Sequence, residues 1–308
     1  MDRHSVDWRG YMPAVTTPFT RDGDFDPRGW QELLEWMVAE KMHGVVIAGT
    51  TGEWTSLSEA ERRELFRLAA QQIRGRIPVI AGCSAYTPAE AVRYAQYAKE
   101  LGLDGILLSV PPYVHPTRRE TVAFYKAVSD AVPIPIVVYN WPRGTAVDMD
   151  RDLVLRLADI ENVVAIKNST PDVGNFVETL VAVKDQLRYF GFPYTEFGIT
   201  LLQTIGGDGT MGAGAVMGYN HAKFYDCLWS GDLEGAREAA LWDRAFFEAT
   251  INPDYSARWG SPPALLKTCL NLRGLPGGYP RPPLLPLTDE ETEEVAAMLQ
   301  RLGLGSVR

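Results

Sequence analysis

Short apolar runs rich in β-branched residues alternate with amphipathic segments along the first two thirds of the chain. Each run has the length of a buried strand, and successive runs begin roughly 20 to 35 residues apart, which is the spacing of βα units. Eight such runs are present. The predicted strands are residues 13–17, 45–49, 78–81, 105–109, 135–139, 163–167, 187–190 and 208–212.

Amphipathic periodicity predicts a helix after each of the first seven strands, and several helix starts carry capping signals. Residues 58–61, 87–90 and 117–120 have the spacing of a capping box, and Thr170-Pro171 is typical of an N-cap followed by proline at the first helical position. The predicted helices are residues 27–41, 58–74, 87–101, 117–131, 150–158, 171–185 and 195–205.

Eight βα units that close on themselves form a (β/α)₈ barrel, and this TIM barrel is the fold class predicted for residues 1–220. An open doubly wound sheet is the alternative architecture. It would require a dinucleotide-binding glycine fingerprint after the first strand, and residues 13–19 contain none.

The strand signals stop near residue 220, and residues 221–250, 262–273 and 288–303 have helical patterns. Residues 288–291 open the last helix with a capping box. We therefore predict a helical C-terminal domain over residues 221–308, with the Pro/Gly-rich residues 274–286 as an extended surface connector.

The composition is that of an ordinary globular protein. The 308 residues are 46% hydrophobic and 22% charged, with no apolar run long enough to span a bilayer. The first residues carry no apolar signal core, so the expected location is the cytoplasm.

Charge and cysteine content exclude several classes of function. The net charge of −9 and the scattered basic residues argue against nucleic-acid binding. Cys83, Cys227 and Cys269 are far apart and odd in number, which favours reduced core thiols over disulfides or metal ligands. We therefore expect no metal.

Lys167 is the first candidate for chemistry, because it directly follows the apolar run 163–166 and stands at the carboxyl end of the sixth predicted strand. A strand-end lysine most often extends its ammonium to solvent. If it is buried instead, desolvation lowers its pKa from about 10.4, and the neutral amine can form a Schiff base with a carbonyl.

Other polar residues are predicted at the same barrel face, where the catalytic groups of TIM barrels gather. The tight turn at residues 49–52 offers backbone N–H groups and two hydroxyls that suit a carboxylate, although an ordinary turn is an equal alternative. Tyr139 ends the fifth strand and can move protons together with Thr50 or Tyr113. A buried tyrosine is more often a packing residue.

Three separated motifs resemble the dihydrodipicolinate synthase/N-acetylneuraminate lyase family. They are Gly-Thr-Thr-Gly-Glu at residues 49–53, Tyr-Asn-Trp-Pro at residues 139–142 and Ile166-Lys167, each at a predicted strand end. The resemblance spans nearly the whole chain. It implies a barrel with a helical C-terminal domain, a lysine Schiff base with pyruvate or another 2-oxo acid, and no metal or organic cofactor.

The resemblance also implies roles for individual residues. Lys167 corresponds to the Schiff-base lysine, Tyr139 to the acid/base phenol and Thr50 to the residue that completes the proton relay. Thr51, with the adjacent backbone of Gly49, corresponds to the group that holds the carboxylate. Tyr113 matches a tyrosine that reaches in from a neighbouring subunit, so the resemblance implies a homodimer or a tetramer of two dimers.

Two stretches depart from the synthase branch of the family. Residues 112–114 are Pro-Tyr-Val where that branch has Tyr-Tyr-Asn, and the loop after Tyr139 differs as well. That branch carries an arginine for the second substrate's carboxylate five residues after the tyrosine, and here Gly144 occupies its place, with Arg143 one residue early. Arg143 remains a substrate-binding candidate, and so does Met211, in the glycine-rich run 206–212. Further candidates for the outer pocket, each with an equal structural alternative, are Ser109, His115, Tyr194 and Glu196.

The predicted function is that of a Schiff-base lyase, an aldolase or dehydratase, acting on a small 2-oxo acid that yields pyruvate or derives from a sugar. A genuine 4-hydroxy-tetrahydrodipicolinate synthase is the enzymatic alternative, with Arg143 replacing the missing arginine. A 2-oxo acid sensor without turnover is the alternative from another class, and the joint presence of the four candidate catalytic residues argues against it.

Overall fold

The computed structural model describes residues 1–252 and 254–307. Eight parallel strands form one sheet with the order β1-β8-β7-β6-β5-β4-β3-β2. The predicted eight-stranded barrel is confirmed, and the open doubly wound alternative is wrong. The strands are β1 Gly10–Tyr11, β2 Val45–Ile47, β3 Val79–Gly82, β4 Gly105–Ser109, β5 Ile136–Asn140, β6 Val163–Asn168, β7 Arg188–Phe190 and β8 Gly209–Thr210.

The segment after β1 joins the two ends of the sheet. β1 pairs with β8, and Ala14 forms parallel bridges with both Val46 and Ala213. The ladder of the first strand therefore begins earlier than the predicted residues 13–17. Pro13 has no N–H group to donate, so regular pairing stops before it and resumes as the single bridge at Ala14.

Helices connect the strands on the outside of the barrel, and their predicted starts are mostly correct. The capping boxes of Ser58 and Thr117 are formed, and the Thr87 side chain accepts a hydrogen bond from the Glu90 N–H. The helices of this part are α1 Pro27–Ala39, α2 Glu59–Ile73, α3 Pro88–Glu100, α4 Arg118–Ala131, α5 Pro142–Thr145, α6 Arg151–Ala158, α7 Val173–Val183 and α8 Glu196–Thr204.

The prediction of an N-cap at Thr170 is wrong. Asp172 caps α7 through the Asn175 N–H, and the Thr170 hydroxyl instead donates to Asp148 and accepts from the Asp172 N–H. Thr170 thus helps to fix the loop between β6 and α7.

Residues after β8 form helices α9 Tyr219–Ser230, α10 Leu233–Thr250, α11 Pro262–Leu272 and α12 Asp289–Arg301. The predicted single helix over residues 221–250 is two helices, because Gly231 adopts the left-handed conformation with a φ of 81° and Asp232 caps the next helix. The capping box at Thr288 is formed. The division into domains at residue 220 stays a prediction.

Two apolar layers make up the interior. The larger layer lies between the strands and the surrounding helices. The smaller layer fills the barrel, and Trp141 packs against it at the edge. We call it the barrel-interior cluster: Trp8, Met12, Ala14, Val46, Ile80, Leu107, Val137, Tyr139, Val164, Ala165, Phe190 and Met211.

Within residues 1–252 and 254–307, no helix is both long and apolar enough to cross a membrane. All three cysteines are free, and the thiols of Cys83 and Cys269 are buried.

Candidate active site

Lys167 lies near the carboxyl end of β6, paired with Tyr139 of β5 on one side and Phe190 of β7 on the other. The run from Val163 to Ile166 is fully covered by the barrel and its helices, and this burial extends to Lys167, which is only 8% exposed. The lysine is therefore held inside the barrel and does not extend to bulk solvent.

Burial lowers the pKa of Lys167 to about 8. The Nζ atom lies 4.3 Å from the centroid of the Tyr139 ring, so its nearest charge-stabilising contact is an aromatic face. Among the described residues, no carboxylate lies within ion-pair distance of this amine. A substantial neutral fraction near neutral pH makes the amine a competent nucleophile.

Tyr139, whose ring lies against the Lys167 amine, is also buried. Burial raises the pKa of its phenol, while the hydroxyls of Thr50 and Ser169 oppose that rise as hydrogen-bonding partners. Within the described chain neither pair has the geometry of a well-aligned hydrogen bond, and such contacts often tighten only when substrate binds. The phenol is protonated and can donate. Sequence reasoning had not identified Ser169.

The Gly49–Glu53 turn lies at the carboxyl end of β2, as predicted. Gly52 suits this crowded position, because a Cβ atom there would lie 3.0 Å from the Val15 carbonyl oxygen. The Thr17 hydroxyl fixes the turn by donating to the Gly52 carbonyl at 2.8 Å. The Thr50 side chain is exposed, Thr51 is partly exposed and Gly49 is buried.

A buried ion pair holds the same turn from the C-terminal side of the chain. Lys267 of α11 donates to the Glu53 carboxylate, and the Arg281 backbone N–H donates to the other Glu53 oxygen at 3.0 Å. The Lys267 and Glu53 side chains are both 1% exposed. Burial lowers the pKa of Lys267 to about 8, and the carboxylate opposes that shift. Sequence reasoning missed this pair.

Side-chain amides fix the ends of β5 and β6 next to Tyr139 and Lys167. Asn140 Nδ2 donates to Asn168 Oδ1 at 3.0 Å and to Asp148 Oδ1 at 2.8 Å. Asn168 Nδ2 in turn donates to the Tyr189 hydroxyl at 2.7 Å. These bonds limit the movement of the backbone that carries Tyr139 and Lys167.

Tyr113 does not lie among these residues in the single chain. Its side chain is 89% exposed, and its φ of 79° is rare for a bulky residue. The role that the resemblance implies for it, in the site of a neighbouring subunit, stays a prediction.

The candidates for substrate binding have different surroundings. Met211 belongs to the barrel-interior cluster. Arg143 is exposed, and its Nη1 donates to the Asp254 carbonyl at 2.7 Å. Trp141 stacks on Tyr139, with ring centroids 5.9 Å apart and planes 17° apart.

The outer-pocket candidates largely make structural contacts. The Tyr194 hydroxyl donates to the His221 carbonyl, and exposed Glu196 pairs with Arg237. Ser109 is buried in β4, where its N–H donates to the Ser84 hydroxyl, and His115 is exposed. In the described part of the chain, no group of three His, Cys, Asp or Glu side chains is arranged to hold a metal ion.

Comparison with known proteins places this arrangement in a family. The model of the dihydrodipicolinate synthetase family matches residues 7–302. A protein named 4-hydroxy-tetrahydrodipicolinate synthase from Moorella thermoacetica is 35% identical over 303 residues, which cover 97% of this chain and 100% of the relative.

Solved structures agree with the sequence match. Dihydrodipicolinate synthase from Thermotoga maritima superposes with a TM-score of 0.86 at 28% identity, covering 96% of this chain and 99% of its own. N-acetylneuraminate lyase from Mycoplasma synoviae superposes with a TM-score of 0.80 at 25% identity, covering 96% and 98%. The chain belongs to the dihydrodipicolinate synthetase family, whose members include lyases of this fold.

Proposed function

We propose that the protein is a lyase that binds a small 2-oxo acid as an imine on Lys167. One observation carries the proposal: a buried lysine with its pKa lowered to about 8 lies 4.3 Å from the ring of a buried tyrosine at the carboxyl end of the barrel. Burial supplies the neutral amine, and the adjacent phenol supplies a proton donor.

The reaction follows from imine chemistry. Lys167 Nζ adds to the C2 carbonyl of the 2-oxo acid, and the resulting carbinolamine loses water to give a protonated imine. The imine accepts the electron pair of a breaking C3–C4 bond and becomes an enamine. Protonation at C3 and hydrolysis of the imine then release the product and consume the water that was lost.

Each of these steps moves a proton, and Tyr139 is the group we assign to this task. Its raised pKa keeps it protonated, so it can donate to the carbinolamine oxygen as water leaves. Thr50 and Ser169 are the hydroxyl partners through which that proton is replaced. We propose that Tyr113 of a neighbouring subunit continues this relay.

The turn at residues 49–53 is the proposed binding site for the 2-oxo acid carboxylate. Gly49, Thr50 and Thr51 supply backbone N–H groups and hydroxyls. Several such donors on a fixed backbone suit a carboxylate better than one flexible lysine or arginine side chain does. The Lys267–Glu53 pair keeps that turn in place.

A second candidate function is genuine 4-hydroxy-tetrahydrodipicolinate synthase. The names of relatives at 32–35% identity favour it. Gly144 and the bond from Arg143 to the Asp254 carbonyl disfavour it, because the synthase branch resembled by this chain uses an arginine at position 144 for its second substrate. A 2-oxo acid sensor would have the same imine site but no turnover.

Reductive trapping tests the proposal. The protein is incubated with pyruvate and sodium borohydride, digested, and the adduct is located by mass spectrometry. We expect a stable 1-carboxyethyl adduct, the reduced imine, on Lys167 and none in Lys167→Arg. Absence of the adduct, or an adduct mapped to Lys267, which is also buried, would remove Lys167 as the nucleophile.

A substrate screen then separates the candidate functions. Pyruvate plus aspartate semialdehyde, tested beside sugar-derived and other 4-hydroxy-2-oxo acids, identifies a synthase by product formation with the first pair alone. Trapping at Lys167 without turnover of any tested compound would identify a sensor.

A further inference from the structure

The space beside Gly144 is filled by an aromatic ring. A Cβ atom at position 144 would lie 2.5 Å from Trp141 Nε1, which is closer than non-bonded atoms can approach. The glycine is thus required by the position of Trp141. The indole, and not a side chain from position 144, occupies this part of the site entrance.

Two aromatic rings contact Trp141 and hold it in that position. Its ring stacks on Tyr139, and Tyr255 packs edge-on against it with ring centroids 6.1 Å apart. Tyr255 belongs to the loop between α10 and α11, and its ring also packs against Phe247 with ring centroids 6.2 Å apart. An unbroken aromatic surface therefore begins beside the Lys167 amine.

The Arg143 side chain, two residues after Trp141, is engaged elsewhere, because its Nη1 donates to the Asp254 carbonyl. Met211 of the barrel-interior cluster adds a buried apolar side chain. The entrance offers rings to a substrate, with Tyr255 38% and Phe247 44% exposed.

We propose that the part of the substrate beyond the 2-oxo acid is an apolar planar group, and that Trp141 determines this specificity by stacking against it. The inference rests on the proposed function, since it concerns the same imine on Lys167. The substrate class is a 4-aryl-4-hydroxy-2-oxobutanoate, which is cleaved to an aryl aldehyde and pyruvate. A carboxylate or polyol packed on the faces of these rings would lose its hydration to aromatic carbon.

The cleavage balances without a further reactant. In the imine, the C4 hydroxyl gives its proton to the Tyr139 relay, a C4=O bond forms, and the C3–C4 electron pair passes into the enamine. The proton is returned at C3, and the water taken up in imine hydrolysis equals the water released when the imine formed. The reverse reaction is the condensation of pyruvate with the aldehyde.

Aldehyde selectivity tests the proposal. We measure kcat/KM for condensation of pyruvate with benzaldehyde, aspartate semialdehyde and glyceraldehyde. We expect the wild type to prefer benzaldehyde to each of the others by at least about tenfold, since one ring stack is worth about that factor. Preference for aspartate semialdehyde or glyceraldehyde would overturn the proposal.

Variants at positions 141 and 144 test whether Trp141 causes the selectivity for an aromatic aldehyde. Trp141→Ala should lower kcat/KM for benzaldehyde by about tenfold or more, and Trp141→Phe should recover most of it, because a ring is restored. Trp141→Ala combined with Gly144→Arg opens room for an arginine and should raise kcat/KM for aspartate semialdehyde. Equal losses with all three aldehydes in Trp141→Ala would contradict a role in selectivity.

Trapping with pyruvate and borohydride separates a failure of the Schiff-base proposal from a failure of the proposal on aromatic specificity. Each rate is divided by the fraction of sites that form the adduct, so that a variant with fewer competent sites is not mistaken for one with altered selectivity. A wild type that forms no adduct overturns the Schiff-base proposal and this inference with it. A wild type that forms the adduct but prefers a non-aromatic aldehyde overturns this inference alone.

Discussion

At Lys167, the reactivity of a single amine depends on how far the barrel excludes water. With a pKa of about 8, roughly one tenth of the molecules carry a neutral amine at pH 7, compared with about one in three thousand for an unperturbed lysine. The larger neutral fraction comes from burial alone, because no carboxylate of the described chain lies beside the ammonium. The strand register places this residue opposite Tyr139.

The rate of pyruvate trapping should therefore follow the titration of Lys167. Below its pKa only the minor neutral form reacts, so we expect the observed rate constant to rise about tenfold per pH unit and to level off near pH 8. The measurement is single-turnover trapping with cyanoborohydride from pH 6 to 10. A rate that continues to rise up to pH 10 would mean that the amine has an ordinary pKa.

Replacing the phenol of Tyr139 should affect turnover more than structure. Tyr139→Phe keeps the ring that packs against Lys167 and Trp141 but removes the proton donor, so turnover should fall by roughly 10²–10⁴. Circular dichroism and the urea midpoint check that the fold is retained. Ser169→Ala is the matched variant for a supporting hydroxyl and should be less severe; an unchanged rate in Tyr139→Phe would exclude the phenol from the mechanism.

Sequence reasoning could identify Lys167 and Tyr139 because strand ends are visible as breaks in apolar runs. It could not find Ser169 beside the Tyr139 phenol or the stacking of Trp141 on the Tyr139 ring. Their importance comes from side-chain positions across neighbouring strands and loops, which periodicity does not encode.

At the scale of elements, α11 supplies the cation that neutralises Glu53 in the loop after β2. The two residues are 214 positions apart in the chain, and both side chains are nearly inaccessible. Such a pair adds little net stability when intact, but removal of one partner leaves a buried charge uncompensated. The loop and the helix are therefore coupled in folding.

Lys267→Met should lower the free energy of unfolding by roughly 3–5 kcal/mol, measured by urea denaturation. Adding Glu53→Gln should restore part of this loss, because the carboxylate is no longer charged. Arg237→Met, which breaks the exposed pair with Glu196, is the control and should cost at most about 1 kcal/mol. A Lys267→Met protein as stable as this control would contradict the coupling.

The helix boundaries show which local signals are reliable. Capping boxes at Ser58, Thr117 and Thr288 were readable because they depend on residues three apart. The break between α9 and α10 had a local signal that the prediction overlooked. Gly231 followed by Asp232 is a C-terminal glycine next to an N-cap, but the long apolar periodicity favoured a single helix. The start of α7 could not be predicted from local signals, because the Thr170 hydroxyl donates to Asp148, which lies 22 residues earlier in the chain.

At the scale of the whole molecule, the barrel was predictable from the number and spacing of strands, while assembly was implied only by resemblance. Tyr113 is 89% exposed with a φ of 79°, an unusual backbone conformation to maintain for a side chain that contacts solvent. A place in a neighbouring subunit's site would explain both features.

Subunit mixing tests this arrangement. If Tyr113 serves the neighbouring site, Lys167→Ala and Tyr113→Ala proteins are each inactive, but refolding them together restores about a quarter of the sites, since half of the randomly formed two-fold pairs are mixed and each mixed pair has one complete site. Turnover is measured before and after mixing. Activity no greater than the sum of the separate proteins would place Tyr113 outside the site.

The Glu53–Lys267 pair also bears on how the chain can be divided. A fragment that ends near residue 220 would retain all eight strands, Lys167 and Tyr139, yet it would leave Glu53 without its counter-ion. The eight strands alone therefore lack the residue that neutralises Glu53, and a longer piece is needed to hold the turn at residues 49–53 in place. Gene fusions, circular permutations and minimal versions of this enzyme should preserve the connection to α11 as strictly as the strands themselves.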